Sequence, residues 1–396
     1  MPHVLPSVAV LQITTRTTIA LVHRLYARRH RASPPLFPLD EPIGALPFGG
    51  ATLRALVDDA ARACGLDVVD IGADDAVPEG AVVVGDDDVV VNAAALAALL
   101  ARASTTVVQA AVAPGTALFL ASTRVLDVDR AAPLRVPLWA GPSLSSSSLS
   151  DAADLAVIAD EAGHVVVDTR PYGPPPHQLV IADVQRLLGW PRHWLHVLDL
   201  SLAALQTSLP TFAMPVKRRR GPSSPQIHPT ATVVRSRLGN NVKIEAHVSI
   251  VDSVIGDDVL VADHTVIHGS VIGDRCRTLV DTHLRRCVCL PGSTLSNLDM
   301  QDALLGREIF LTTGVAFFHD GPGRNVVVDG VDSGRAVLAG AIGRRAMLGS
   351  RALFRAGIAL PAGALVVARP EESLGKMDER GLARAHMRIG DRGVDV

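Results

Sequence analysis

The chain has 396 residues, 48% of them hydrophobic, 20% charged and only 3% aromatic, with a formal net charge of -2. That length supports two domains with cores of their own, and the composition excludes a disordered chain. The near-neutral balance excludes a global attraction to nucleic acid or to anionic membranes, and the few aromatics leave little surface for stacking. Cys64, Cys276, Cys287 and Cys289 match no zinc or redox spacing and read as small apolar residues. No early apolar run suits a signal peptide and no stretch is long enough to span a bilayer, so the expected location is cytoplasmic.

In chain order, the apolar run Val8 to Ile13 reads as a strand, and the Arg/His-rich stretch His23 to Arg31 as the exposed part of a helix. Leu53, Leu56, Val57, Ala60 and Cys64 keep helical spacing, as does Ala93 to Ala103. Val82 to Val84, Val89 to Val91 and Val165 to Val167 are strand-like, and Ser143 to Ser150 is a low-complexity loop. Ile181 to Leu188 and Leu195 to Leu205 read as helices. Strands alternating with helices predict an α/β domain over residues 1–215, with a mostly parallel sheet covered by helices. Residues 216–226 form a linker, basic at Lys217 to Arg220 and then rich in Gly, Pro and Ser.

A repeat begins beyond the linker. Stepping from Leu238 through Ile244, Ile250, Ile255, Val261, Ile267 and Ile272 meets an aliphatic residue each time, at intervals of six, six and five. A small or β-branched residue follows four places on, at Val242, Val248, Val254, Val259, Thr265, Val271 and Cys276. Gly239, Gly256 and Gly273 recur every seventeen residues. This periodicity predicts a left-handed parallel β-helix over residues 227–370. Three short strands make one triangular coil, both marked positions point into the shaft, and coils stack at about 4.8 Å. The repeat breaks over residues 297–338, an insertion expected to leave a corner as a loop and to carry function. The tail, residues 371–396, has weak helical character and is expected to cap the open end.

Several segments resemble the sugar-1-phosphate nucleotidyltransferases that carry a hexapeptide-repeat acyltransferase domain. They are Pro38-Leu39-Asp40-Glu41-Pro42, Leu46-Pro47-Phe48-Gly49-Gly50 with Leu53, and Val89-Val90-Val91-Asn92. Trp194 to Leu200 and the entry Ile227-His228-Pro229-Thr230-Ala231 are similar too. The resemblance is close over the β-helix and distant over the first half. It implies nucleotidyl transfer at the first domain, acyl transfer at the second, a sugar phosphate or nucleotide-sugar substrate, and a homotrimer with acyl-CoA lying between neighbouring subunits. It also places Arg16, Gly49 and Gly50 at the nucleotide. The family's phosphate loop is glycine-rich, whereas Leu11 to Thr17 contains no glycine, so side chains would crowd a backbone meant to approach phosphates. That departure shifts weight from nucleotidyl to acyl transfer.

Asp86-Asp87-Asp88 ends a strand, where Asp86 and Asp88 are candidates to hold Mg²⁺ on a nucleotide's phosphates, with Asp199 as a further ligand. The same residues also suit an acidic turn. Of the histidines in the β-helix, His247, His264, His268, His283 and His319, the candidate general base is His319, beside Asp320 in the inserted loop. His247 and His264 are seventeen apart with Asp281 one turn further, a ladder compatible with a zinc site like that of the γ-carbonic anhydrases. A non-catalytic protein that binds a nucleotide-sugar as a regulator or scaffold is the other reading.

Overall fold

A computed structural model describes residues 24–30, 35–114, 131–152, 154–158, 164–168, 178–182, 186–209, 223–296, 299–318, 324–368 and 387–389. The first half is built on a six-stranded sheet of β1 (Arg24–His30), β2 (Leu66–Gly72), β3 (Ala81–Asp86), β4 (Val108–Val112), β5 (Leu134–Ala140) and β6 (Asp154–Ile158). Their order is β2-β1-β3-β5-β4-β6. β1 runs parallel to both its neighbours and β4 to β6, while β5 is antiparallel to β3 and to β4, so the sheet is mostly parallel, as expected, with β5 reversed. An apolar run marks a strand without marking its direction.

The basic stretch expected on a helix is the strand β1, inside the sheet. Tyr26 and Ala27 enter the cores on opposite faces, and Arg28 lies on the Tyr26 side, 1% exposed. The Asp58 carboxylate accepts from its guanidinium, and Asp70 on β2 lies 4.0 Å away. A buried arginine is tolerable only with such partners, and a two-residue alternation reads poorly when half its members are charged. Ile181 to Leu188, expected helical, contributes instead to a strand, Gln178–Ala182, antiparallel to His164–Asp168, and to the short strand Leu188–Gly189. The β-branched Val180 and Ile181 favour the extended chain.

Helices α1 (Leu53–Ala63) and α2 (Ala93–Arg102) form where the spacing predicts them, capped by Thr52 and Asn92. The Asn92 side chain accepts from Ala95 N at 3.0 Å and from Leu187 N at 3.1 Å, joining the helix start to the following chain. Ser146–Ser150, within the expected loop, forms the short helix α3, and α4 spans Trp194–Ser208. Among the described residues no helix is long and apolar enough to cross a membrane.

The second half is a parallel β-helix. Its three faces are a nine-stranded, a five-stranded and a seven-stranded sheet, and Lys243, Leu260, Arg277 and Thr294 succeed one another on the first face at seventeen-residue steps. The corners require backbone in the left-handed region. Asn241, His247, Asp252, Asp258 and His264 all adopt φ between +53° and +59° there. Asn, Asp and His are the non-glycine residues that enter this region most readily. Gly256 serves another purpose, since a Cβ there would lie 2.7 Å from Asp274 N and 2.9 Å from the Gly273 carbonyl carbon of the next coil.

At each five-residue step the inward pattern differs from the expectation. Val254 and Ile255 are adjacent, so strand alternation sends them to opposite sides: Ile255 into the shaft, Val254 outward. The same holds for Val271 and Ile272. The second inward position at this corner is taken by Ser236, Ser253, Ser270 and Cys287. Their coils are tied by Ser253 N to Ser236 Oγ at 3.1 Å, Ser270 N to Ser253 Oγ at 3.1 Å and Cys287 N to Ser270 Oγ at 3.0 Å.

The outward valines matter because the first half of the chain packs on them. Val254, Val271, Val288 and Leu304 of the third face share one core with Leu198, Leu202 and Leu205 of α4. Arg307 bridges to Glu41 and to the carbonyl of Ala45, and Arg344 to Asp40. Gly49 and Gly50 sit at this seam, in the turn between the paired strands Pro47–Phe48 and Ala51–Thr52. A Cβ on Gly49 (φ +62°) would lie 2.7 Å from the backbone of Ala204, and one on Gly50 (φ +93°) would lie 2.6 Å from Val254. Gly49→Ala is expected to destabilise the fold by about 2–4 kcal/mol, combining left-handed strain with overpacking. Urea unfolding reads this as a fall in midpoint at constant slope, and a midpoint within experimental error of the parent would refute it.

The insertion is narrower than expected. Asp299–Gln301, Ala303–Leu305, Phe310–Leu311 and Ala316–Phe318 continue the coils, hidden from the periodicity by a sixteen-residue step from His283 to Asp299. The extra length lies beyond Phe318. Phe310 pairs with Met347, so this coil takes 37 residues where its neighbours take 16 and 18. Its described part holds a hairpin, Val327–Val328 with Val331–Asp332, that folds back on α4. Arg335 there bonds to Asp199 of α4 and lies 3.7 Å from Asp302, while the His193 ring meets Asp329 at 2.9 Å. Of the tail, Met387–Ile389 is a strand antiparallel to Val366–Ala368, where a helical cap was expected.

Candidate active site

The second face of the β-helix carries a cluster of polar side chains on adjacent coils. Its strands Ser249–Val251, Val266–His268, His283–Arg285 and Asp299–Gln301 stack in register. The middle residue of each, Ile250, Ile267, Leu284 and Met300, is buried in the shaft. Alternation therefore turns the first and third residues outward, and the buried anchor fixes the strand that presents them.

Two pairs result. Ser249 Oγ and His268 Nε2 are 2.9 Å apart across adjacent coils. His283 faces Asp299 on the next coil, with Nδ1 4.0 Å from a carboxylate oxygen, while Arg285 donates to the other carboxylate oxygen at 2.7 Å. Burial holds the His268 imidazole well below its usual range, at about 4, reinforced by the charges of Arg285 and His283. It is therefore a neutral ring at pH 7, able to accept a proton or a hydrogen bond. Sequence spacing alone contains part of this site. Ser249, Val266 and His283 lie seventeen apart, as do Val251, His268 and Arg285, but the shortened step to Asp299 breaks the count.

The residues singled out in the sequence are dispersed. Arg16, His319 and Asp320 lie outside the described residues. Gly49 and Gly50 are at the seam between α4 and the β-helix. Asp86 ends β3, and Asp86 to Asp88 make the turn toward Val90–Val91, with Val89 N donating to Asp86 O at 3.3 Å. Among the described residues no three His, Cys, Asp or Glu side chains are grouped to hold a metal ion. His247 and His264 do stack on adjacent coils, with centroids 5.1 Å apart and planes 16° from parallel. Ring nitrogen lone pairs lie in the ring plane, so stacked rings direct them side by side rather than toward one point. Asp199, the other metal candidate, is the partner of Arg335.

His196 on α4 is a second neutral histidine. It is fully buried, accepts from Arg192 N at 3.1 Å, and is held at about 3 by burial and then by the charges of His193 and Arg192. Both His196 and His268 bind a proton less readily in the folded chain than in the unfolded one. Stability is accordingly full above pH 6.5 and is lost as pH falls toward 3. At pH 4.5 each histidine should remove on the order of 2 kcal/mol. Urea midpoints measured from pH 7.5 to 4.5 check this, and an unaltered acid slope in His196→Phe would rule out the assignment to His196.

No protein-family model matches the chain. A search of curated proteins found no match either. Among solved structures, a histidine-to-alanine mutant of GDP-perosamine N-acetyltransferase from Caulobacter crescentus, in complex with CoA and GDP-perosamine, is 18% identical. The alignment covers 93% of this chain and 97% of that one, with a TM-score of 0.20. A histidine-to-asparagine mutant of perosamine N-acetyltransferase from the same organism, in complex with the same two ligands, is 17% identical over the same shares, with a TM-score of 0.17.

Proposed function

We propose that this chain is an acyltransferase that moves an acyl group from acyl-CoA to an amine or hydroxyl of a sugar phosphate or nucleotide-sugar, on the second face of its β-helix. The observation that carries this reading is the register pair His283 and Asp299, beside Arg285, on strands anchored in the shaft. A half-exposed imidazole with a carboxylate beside one nitrogen has the other available to take a proton. As the acceptor's nitrogen or oxygen attacks the thioester carbonyl, His283 receives its proton. Asp299 stabilises the resulting imidazolium, and Arg285 holds Asp299 in place. The carbon–sulfur bond then breaks, and the proton passes from His283 to the departing thiolate.

The same reading takes the β-helix as left-handed and the working assembly as a homotrimer. Phe310, Met347 and Leu365 support the latter: they stack on three successive coils of the first face and are exposed. Such an apolar stripe suits a protein contact. Nucleotidyl transfer at the first domain has less support. Packing at the seam accounts for Gly49 and Gly50, and the segment Leu11 to Thr17 has no glycine. The test is release of free thiol from acetyl-CoA by the full-length protein, across a panel of amino-sugar phosphates and amino-sugar nucleotides. At least one acceptor should raise thiol release well above the acceptor-free rate. A panel with no acceptor-dependent release would overturn the reading.

A further inference from the structure

We propose that Ser249 and His268 form a nucleophile and base pair that takes up the acyl group as an ester on Ser249, giving this chain an acyl-thioester hydrolase activity of its own. This rests on the preceding reading only in that the same face receives the thioester. Ser249 Oγ lies 2.9 Å from His268 Nε2, the distance a serine nucleophile needs from its general base. Both residues are half-buried on the outer side of the face, and Ile250 and Ile267 behind them are fully buried, so the pair is held by two paired strands rather than by loops. The imidazole is uncharged at neutral pH and weakly basic, so it takes the hydroxyl proton as the oxygen–carbon bond forms rather than before it. Arg285 follows His268 in the same column, one coil on, and its charge acts on that ring. A cation so placed favours negative charge developing on a nearby carbonyl oxygen.

The two steps balance without any further reagent. Ser249 Oγ attacks the thioester carbonyl carbon, the oxygen–carbon bond forms, and the hydroxyl proton moves to His268 Nε2. The carbon–sulfur bond breaks and that proton leaves on the thiol. Water then attacks the seryl ester, giving a proton to His268, and the proton returns to Ser249 Oγ as the carboxylic acid departs. An amine or hydroxyl acceptor in place of water would turn the second step into transfer.

The experiment uses the full-length protein with acetyl-CoA and with p-nitrophenyl acetate, in the absence of acceptor. Peptide mass mapping should find an acetyl group on Ser249, and product should appear in a burst equal to the enzyme. Ser249→Ala should abolish the adduct and lower hydrolysis by about 100-fold or more. His268→Gln should slow acylation similarly while its circular dichroism stays that of the parent. Ser249→Cys should restore an adduct, now as a thioester. An undiminished burst in Ser249→Ala would overturn the proposal. Acceptor-dependent transfer at the parental rate in that variant would overturn it as a step of transfer, leaving the acyltransferase reading intact. Acylation of Ser249 with no acceptor consumed would do the reverse.

Discussion

Replacing His283 by Ala should lower kcat for acyl transfer by about 10²- to 10⁴-fold, the usual contribution of a positioned general base. The Michaelis constants for acyl-CoA and acceptor should change little, because a proton acceptor acts mainly as the transition state forms. Asp299→Asn should give a smaller loss, since the imidazole would keep its place and lose only the carboxylate that stabilises its protonated form. Parental turnover in His283→Ala would move the base elsewhere, and His319 in the insertion would be the next residue to replace.

Arg335→Ala should destabilise the fold by about 3–5 kcal/mol, the range found when one member of a buried ion pair is removed. The loss is electrostatic before it is steric. Asp199 and Asp302 are both largely buried, and Arg335 reaches each of them. Asp302 keeps Arg286, whose Nε donates at 2.8 Å, whereas Asp199 loses its ion pair with Arg335 and keeps a costly buried charge. The double replacement Arg335→Leu with Asp199→Leu should therefore recover most of the stability, since it removes the charge along with its partner. Urea unfolding of the single and double variants closes the comparison. Hydrogen exchange should show residues 326–338 opening first in the single variant, because Arg335 is what ties this segment to Asp199 of α4. A single variant within about 1 kcal/mol of the parent would show that surface ion pairing, not burial, describes this site.

Much of the β-helix is written in the sequence. The six-six-five interval from Leu238 to Ile272 and the recurring glycines are local facts, and each follows from a local need: an aliphatic residue for a narrow shaft, no Cβ where coils touch. The corner residues were legible too, since Asn241, His247, Asp258 and His264 are types that accept left-handed backbone. The stacking of His247 on His264 followed from nothing more than the seventeen-residue step. Helices α1 and α2 were legible for the same reason, their apolar residues being spaced for one buried side, whereas α4 is apolar and buried all round.

What lay beyond reach depends on which surface meets which. Val254 and Val271 have the composition of shaft residues, yet their outward direction makes sense only with α4 packed against them. Arg28 reads as solvated until Asp58 and Asp70 are placed around it. The candidate site shows the same division. His268 and His283 could be picked out as histidines on a repeat, but Ser249, Arg285 and Asp299 became their partners through the stacking of coils, one of them a residue short. The sequence by itself determined the repeat, the corners and helices α1 and α2, because each is a preference of neighbouring residues along the chain. Tertiary structure alone decided the buried seam, the burial of charged residues and the grouping of the polar face. Those energies arise between groups brought together only by folding, where burial removes water and leaves each charge to the partners the fold supplies.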